Sequence, residues 1–248
     1  TGHHATARRV KQRIGQVFRY AVATGRATRD PTPDLRGALS PVVSKPRAAL
    51  TDPNAIAGLM EAIDGYTGQP TTHAALRLAP LLFARPGNLR AMEWAELDFS
   101  AAEWRIPAGK MKMREAHVVP LAEQALAILR ELQPLTGTGR YVFPGLRSSR
   151  RPMSENTVNA ALRRLGYDKD TMTGHGLRAL GSTRLKEMGW SPDGIERQLA
   201  HAERNTVRAV YNRAQYMAER RKMMQTWADY LDNLRTGGNV VPITRGVR

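Results

Sequence analysis

At 248 residues the chain can form one large domain or two smaller ones, and an apolar share of 42% supplies a core, which excludes a disordered polymer. Lys and Arg number 38 against 22 acidic residues, and the net charge of +16 suits a polyanionic partner such as nucleic acid without naming one. Cysteine is absent, which excludes disulfides, thiolate nucleophiles, iron–sulfur clusters and cysteine-type zinc sites; the longest apolar run, Leu78 to Ala84, is interrupted by Pro80 and falls short of the roughly 18 residues a membrane span needs.

The segment Ala5 to Ala23 places Val10, Ile14, Val17, Phe18 and Ala21 at helical spacing, with Arg8, Arg9, Lys11 and Arg13 on other faces, so it reads as an amphipathic helix with a basic side. Gly25 can end it, and the proline-rich stretch from Arg29 to Pro46 reads as an extended connection. Residues 1–40 are therefore expected to be the end of a helical domain, with 41–50 as linker. A second unit, 51–235, opens at Thr51, which caps an expected helix Asp52 to Ile63 with Pro53 in its first turn. Another helix is expected from Thr72 to Ala84. The period then changes: Glu103 to Pro107 and Ala116 to Leu121 read as a hairpin around a lysine-rich turn, with Glu96 to Phe99 as a third strand and no other sheet. Helical patterns return at Glu123 to Leu132, Glu155 to Leu165, His175 to Met188, Pro192 to Ala200 and Asn205 to Leu234. Arg147 to Arg151 reads as a basic loop. The tail 236–248 is Gly-rich and basic and is expected to be mobile or docked. The fold class is mainly α with a small antiparallel sheet.

The residues able to carry chemistry are spread through the second unit: Arg85 in Ala-Arg-Pro-Gly, Lys112 in the hairpin turn, His175 and Arg178 in His-Gly-Leu-Arg, His201 in Leu-Ala-His, and Tyr211. A histidine and an arginine three apart on a helix share a face, so His175 and Arg178 can converge on one small anion. The Thr-Gly before His175 also puts it near a helix start, where free N–H groups favour anions. Trp94, Trp104, Trp190 and Trp227 read as packing anchors, whereas Arg147, Arg150, Arg151 and the run Arg220, Arg221, Lys222 read equally as phosphate contacts or solvated surface.

Arg-Pro-Gly-Asn-Leu-Arg at 85–90, Val-Val-Pro-Leu at 118–121, His-Gly-Leu-Arg at 175–178, Leu-Ala-His at 199–201 and Ala-Val-Tyr-Asn-Arg at 209–213 follow one another in the order and approximate spacing of a known family. On these motifs the chain resembles the tyrosine recombinases, and within them the integrases of temperate phages and genomic islands. The likeness covers nearly the whole chain, with 1–40 similar to the end of the family's core-binding domain.

The resemblance implies the tyrosine recombinase catalytic fold and a site-specific recombinase that integrates or excises a mobile element. Arg85 and Arg178 would grip the scissile phosphate, Lys112 would protonate the leaving 5′ oxygen, His175 would assist proton removal, His201 would hydrogen-bond the phosphate, and Tyr211 would attack to form a 3′-phosphotyrosyl bond. Neither cofactor nor metal is implied. Partners implied are double-stranded DNA carrying attachment sites, further copies of the chain in a tetramer on DNA, and an excisionase or host DNA-bending protein. A cytoplasmic, phage-encoded or bacterial protein at the nucleoid is expected, with no membrane partner.

Several alternatives stay open. Lys110 competes with Lys112 as the general acid, though distance back from Pro120 favours Lys112, and is otherwise expected on DNA with Arg8, Arg9, Lys11, Arg13, Arg147, Arg150 and Arg151. Tyr216 competes with Tyr211. Many relatives carry Glu where this chain has Asn88, a position that usually supports the first arginine. Strand relaxation of the type IB topoisomerase kind, a non-catalytic DNA-binding protein and a metal-dependent nuclease are the alternative functions.

Overall fold

A computed structural model describes residues 3–41, 50–200 and 206–237, the side chains of 206–215 excepted. The chain forms two compact units, Thr1–Pro46 and Arg47–Arg248. The first holds helix α1 (His4–Ala23) and a 3-10 turn Thr32–Leu35 inside the stretch read as extended. Gly15 lets the turn close onto α1, since a Cβ there would lie 2.7 Å from Thr32 Oγ1. Asp30 secures the turn by accepting from the Thr32 hydroxyl at 2.7 Å and from Arg19 at 3.2 Å. The apolar positions Val10, Ile14, Val17 and Tyr20 are largely exposed on α1.

The second unit is helical with two small sheets. Helix α2 (Pro53–Asp64) is capped by Asp52, whose carboxylate accepts from Ala55 N, and not by Thr51 as the sequence pattern suggests. A cap needs its acceptor over the third residue inward, and only Asp52 stands at that register. Helix α3 (Pro70–Leu82) follows, with Leu76, Leu78 and Leu82 fully enclosed. Next come a short helix α4 (Pro86–Arg90), which the sequence pattern does not announce, and the strands β1 (Leu97–Asp98), β2 (Glu103–Ile106) and β3 (His117–Pro120). These form an antiparallel sheet in order β1-β2-β3, with Trp104 opposite both Leu97 and Val119. Period-2 alternation explains it, because Trp104 and Ile106 point into the core while Arg105 faces solvent.

Helix α5 (Glu123–Thr136) continues past Pro134, beyond the expected end at Leu132. Thr136 is held beyond the proline by Trp94 Nε1 donating to its carbonyl at 3.0 Å and by its own hydroxyl donating to Val142 O at 3.0 Å. The basic segment expected to be a loop is half of a second sheet, β4 (Pro144–Gly145) paired with β5 (Ser148–Pro152). Its base is drawn into the core by Phe143 and Met153, whose backbones hydrogen-bond at 2.8 Å, and its arginines stand in solvent. Helices α6 (Thr157–Arg164), α7 (Gly174–Glu187), α8 (Pro192–Gln198) and α9 (Thr206–Arg235) complete the unit.

Helix α9 packs along α2 and reaches α3, α5, α7, α8 and β3. Trp227 anchors it: its indole is fully buried, donates to Pro80 O at 2.8 Å, and lies 5.4 Å from the Phe83 ring. That carbonyl belongs to the last turn of α3, which has no helical partner of its own. Among the described residues no helix is long and apolar enough to cross a membrane.

Candidate functional site

Helix α3 ends abruptly because Phe83 adopts a left-handed conformation, φ 52°, which turns the chain so that Arg85 stands at the start of α4. The start of α7 docks against the same place. Gly174 lies so close that a Cβ would sit 3.3 Å from Pro86 Cγ, and its N–H donates to Asn159 Oδ1 at 3.0 Å. His175 is thereby carried to the rim of a groove lined also by Arg85, Pro86, Asn88, Lys110 and Lys112, an open depression of about 500 Å³. The first-turn amides are less available than the helix start suggests, since Gly174 N is taken by Asn159 and Gly176 N by Thr173 Oγ1.

Arg178, one turn beyond His175, lies deeper and lines a small inner cavity together with Arg85, Asn88, His117, Gln198 and Ala200. Its guanidinium donates to Phe83 O at 2.7 Å and to Leu199 O, while Arg85 donates to Ala200 O at 3.1 Å. Ala200 also has a left-handed backbone, φ 50°. Two strained turns thus present the carbonyls that orient the two arginines. Burial, and then the neighbouring Arg85 charge, push Arg178 down to about 10, so Arg178 remains charged at neutral pH and is repelled by Arg85. An anion between them relieves that repulsion, and a phosphate can take the N–H groups the carbonyls leave over.

The turn after β2 separates the two lysines. Lys110 folds back, with Nζ 2.7 Å from Glu93, paired with Glu96, and donating to Ala91 O at 2.9 Å. It braces the turn from within while also lining the groove. Lys112 is exposed and faces the groove. Asn88, buried, donates to Lys110 O at 3.0 Å and so fixes the turn relative to α4. Arg140 and Lys110 hold the Glu93 carboxyl below its ordinary range, which keeps that carboxylate ionised.

His201 lies outside the described residues, as does the tail beyond Gly237. Tyr211 falls in the first part of α9, where only the helical backbone is described. Tyr216 is accounted for differently, its hydroxyl donating to Asp193 Oδ2 at 3.0 Å. Of the other expected contacts, Arg8, Arg9 and Arg13 are exposed and Lys11 half-buried on α1, and Arg147, Arg150 and Arg151 are exposed on the β4–β5 hairpin.

Sequence reasoning missed two buried groups behind the arginines. His117, on β3, donates from Nε2 to Gln198 O at 3.3 Å; burial first, and then Arg220 and other arginines, depress it to about 3, so it is neutral. Arg220, read with Arg221 and Lys222 as surface, is instead 3% exposed. Arg221 is likewise committed, pairing with Glu103 at 2.5 Å. Three consecutive basic residues on a helix point in three directions, so one of them facing inward is geometrically ordinary.

Residues 50–217 match the model of the phage integrase family, and residues 1–38 match that of the phage integrase central domain. The chain is 41% identical over 247 residues to the integrase of Enterobacteria phage P4, covering 94% of this chain and 56% of that one. It is 42% identical to putative protein IntB of Escherichia coli (strain K12), again covering 94% of this chain, and 62% of the relative. The chain therefore spans between half and two thirds of the length of these relatives. In three dimensions it is similar to lambda integrase bound to DNA, with a TM-score of 0.62 at 20% identity, covering 90% of this chain and 76% of the other. A lambda integrase tetramer on a Holliday junction gives a TM-score of 0.61 at 22% identity, covering 83% and 61%. At these identities the structural likeness establishes the fold.

Proposed function

Because the chain belongs to the phage integrase family, we propose that it is a site-specific DNA recombinase that cleaves and rejoins strands through a 3′-phosphotyrosyl intermediate, serving the integration or excision of a mobile element. The observation that carries this reading is the groove shared by Arg85, Lys112 and His175, adjoining the inner cavity where Arg85 meets Arg178.

A scissile phosphate in the groove lies against two guanidinium groups, which bind its non-bridging oxygens and stabilise the charge that grows in the pentacoordinate transition state. The Tyr211 phenol oxygen attacks phosphorus in line as the bond to the 5′ oxygen breaks. The phenol proton passes to His175 and the departing oxygen takes one from Lys112, so no alkoxide is released. A free phenol, with a pKa near 10, is ionised in roughly one molecule per thousand at neutral pH, and the surrounding positive charge raises that fraction. His201 completes the hold on the phosphate. The phosphotyrosyl bond conserves the energy of the phosphodiester, and a 5′ hydroxyl from a second strand reverses the step.

The matched families support a division of labour in which residues 1–40 belong to a helical DNA-binding domain, residues 41–50 link, and 51–235 carry the chemistry. Arg8, Arg9, Lys11, Arg13 and the hairpin arginines Arg147, Arg150 and Arg151 then meet backbone phosphates, which set position and not sequence. The lambda integrase tetramer on a Holliday junction supports assembly of four copies on DNA; an excisionase or host DNA-bending protein as accessory, at the bacterial nucleoid, completes the proposal. The test is a nicked suicide substrate that traps cleaved product. Tyr211→Phe abolishes the covalent protein–DNA band while leaving DNA binding intact; a persisting band refutes the assignment of Tyr211.

A further inference from the structure

Behind the groove a buried polar network joins α9 to three other parts of the site. Arg220 lies nine residues beyond Tyr211 on the same helix, about 13 Å along its axis. Its Nε and one terminal nitrogen donate to Gln198 Oε1 at 3.0 and 2.6 Å, and that terminal nitrogen also donates to Val118 O at 2.7 Å. Gln198, itself 2% exposed, donates onward to Leu82 O at 3.2 Å, while its own carbonyl accepts from His117 at 3.3 Å.

Each contact leads to a different piece of the site. Val118 belongs to the strand that leaves the Lys112 turn. Gln198 ends α8, immediately before the Leu199 and Ala200 carbonyls that orient Arg178 and Arg85. Leu82 ends α3, just before Phe83 and Arg85. Both acceptors of the Arg220 fork are neutral amide oxygens, an expensive way to bury a guanidinium when an apolar side chain of similar volume fills the same space at less cost. What a fork supplies and an apolar chain does not is a fixed distance and angle among the parts it joins.

We propose that Arg220 is a positioning residue for strand cleavage: its fork on Gln198 and Val118 sets where α9 carries Tyr211 relative to the groove of Arg85, Lys112 and His175. The inference rests on the assignment of Tyr211 as nucleophile, which the Tyr211→Phe control tests separately. In-line attack depends steeply on alignment, and misplacement by about 1 Å costs on the order of a hundredfold in rate.

The experiment measures single-turnover cleavage of a suicide substrate at saturating DNA by the full chain, below the melting temperature of each variant. Arg220→Met lowers the rate constant on the order of a hundredfold while the DNA dissociation constant stays within about threefold. Arg220→Lys, which keeps one donor, recovers part of the rate. The loss persists on a substrate whose leaving 5′ oxygen is replaced by sulfur, which departs without a proton. Gln198→Met removes the shared acceptor and reproduces the defect, and the double variant is no worse than either single one. A purely structural role lowers the melting temperature and the active fraction but leaves the rate constant of folded protein unchanged, which overturns the proposal. Restoration by the sulfur substrate also overturns it, since Arg220 then acts through the Lys112 turn. Should Arg220→Met not fold, Gln198→Met and Arg220→Lys decide alone: parental rate constants in both refute the inference. A covalent band surviving Tyr211→Phe sinks the nucleophile assignment, whereas a clean Tyr211→Phe result with unaffected Arg220 variants sinks only the positioning role.

Discussion

A methyl group added at Gly181 tests how the site is braced from behind. A Cβ there falls 1.6 Å from Phe83 Cε1 and 2.4 Å from Cδ1, inside any permissible contact. The ring has little room to withdraw, being 1% exposed and packed against Trp227 at 5.4 Å. Its backbone is also committed, with φ at 52° and the carbonyl accepting from Arg178 at 2.7 Å. Overpacking of this kind costs about 1–3 kcal/mol, and each kcal/mol lowers the melting temperature of a domain this size by about 2–4 °C. Gly181→Ala is therefore expected to melt about 2–12 °C lower. Since Phe83 cannot move without shifting the acceptor of Arg178, cleavage should fall more than DNA binding does. Phe83→Leu, which removes the clashing ring edge at a cost of about 1–2 kcal/mol, should partly rescue Gly181→Ala, the pair costing less than the sum of the singles. Thermal melts and suicide-substrate cleavage read both effects. A Gly181→Ala protein that melts within about 1 °C of the parent, or strict additivity with Phe83→Leu, would refute the argument.

Lys112→Ala should lose about 10²–10⁴-fold in cleavage and regain most of it on a substrate with a 5′-bridging sulfur, whereas Lys110→Met should lose stability and gain nothing from the sulfur. His117 folds with its proton affinity depressed from 6.5 to about 3, so the unfolded chain binds the extra proton between those values and stability falls as pH drops from 6.5 toward 3; His117→Gln should flatten that slope in acid titrations of unfolding. Glu93, held below 4.5 first by Arg140 and then by Lys110, contributes stability present above 4.5 and lost as pH falls further, and Lys110→Met should shrink that loss. Cleavage assayed in excess chelator should proceed at the parental rate; its disappearance would favour a metal-dependent nuclease.

The long amphipathic helices and the central hairpin were legible because apolar spacing alone specifies them, as Trp104 and Ile106 illustrate on β2. Helix α4 was not, since five residues beginning with Pro86 hold no full helical period. The β4–β5 hairpin escaped because its arginines never alternate with buried residues; only Phe143 and Met153 at its base touch the core. Motif order pointed to Arg85, His175 and Arg178, but the division between Lys110 and Lys112 depends on carboxylates 14 and 17 residues upstream of Lys110, at Glu96 and Glu93. Arg220 differs from its two basic neighbours only in the face of α9 on which it stands. One signal was available: Met223, Met224 and Trp227 continue the buried face of that helix, and Arg220 stands at its period.

The most direct measurement digests the trapped protein–DNA complex and locates the nucleotide adduct by mass spectrometry. A single modified peptide is expected, with the adduct on Tyr211, joined to a 3′ phosphate. An adduct on Tyr216, on another residue, or through a 5′ phosphate would contradict it.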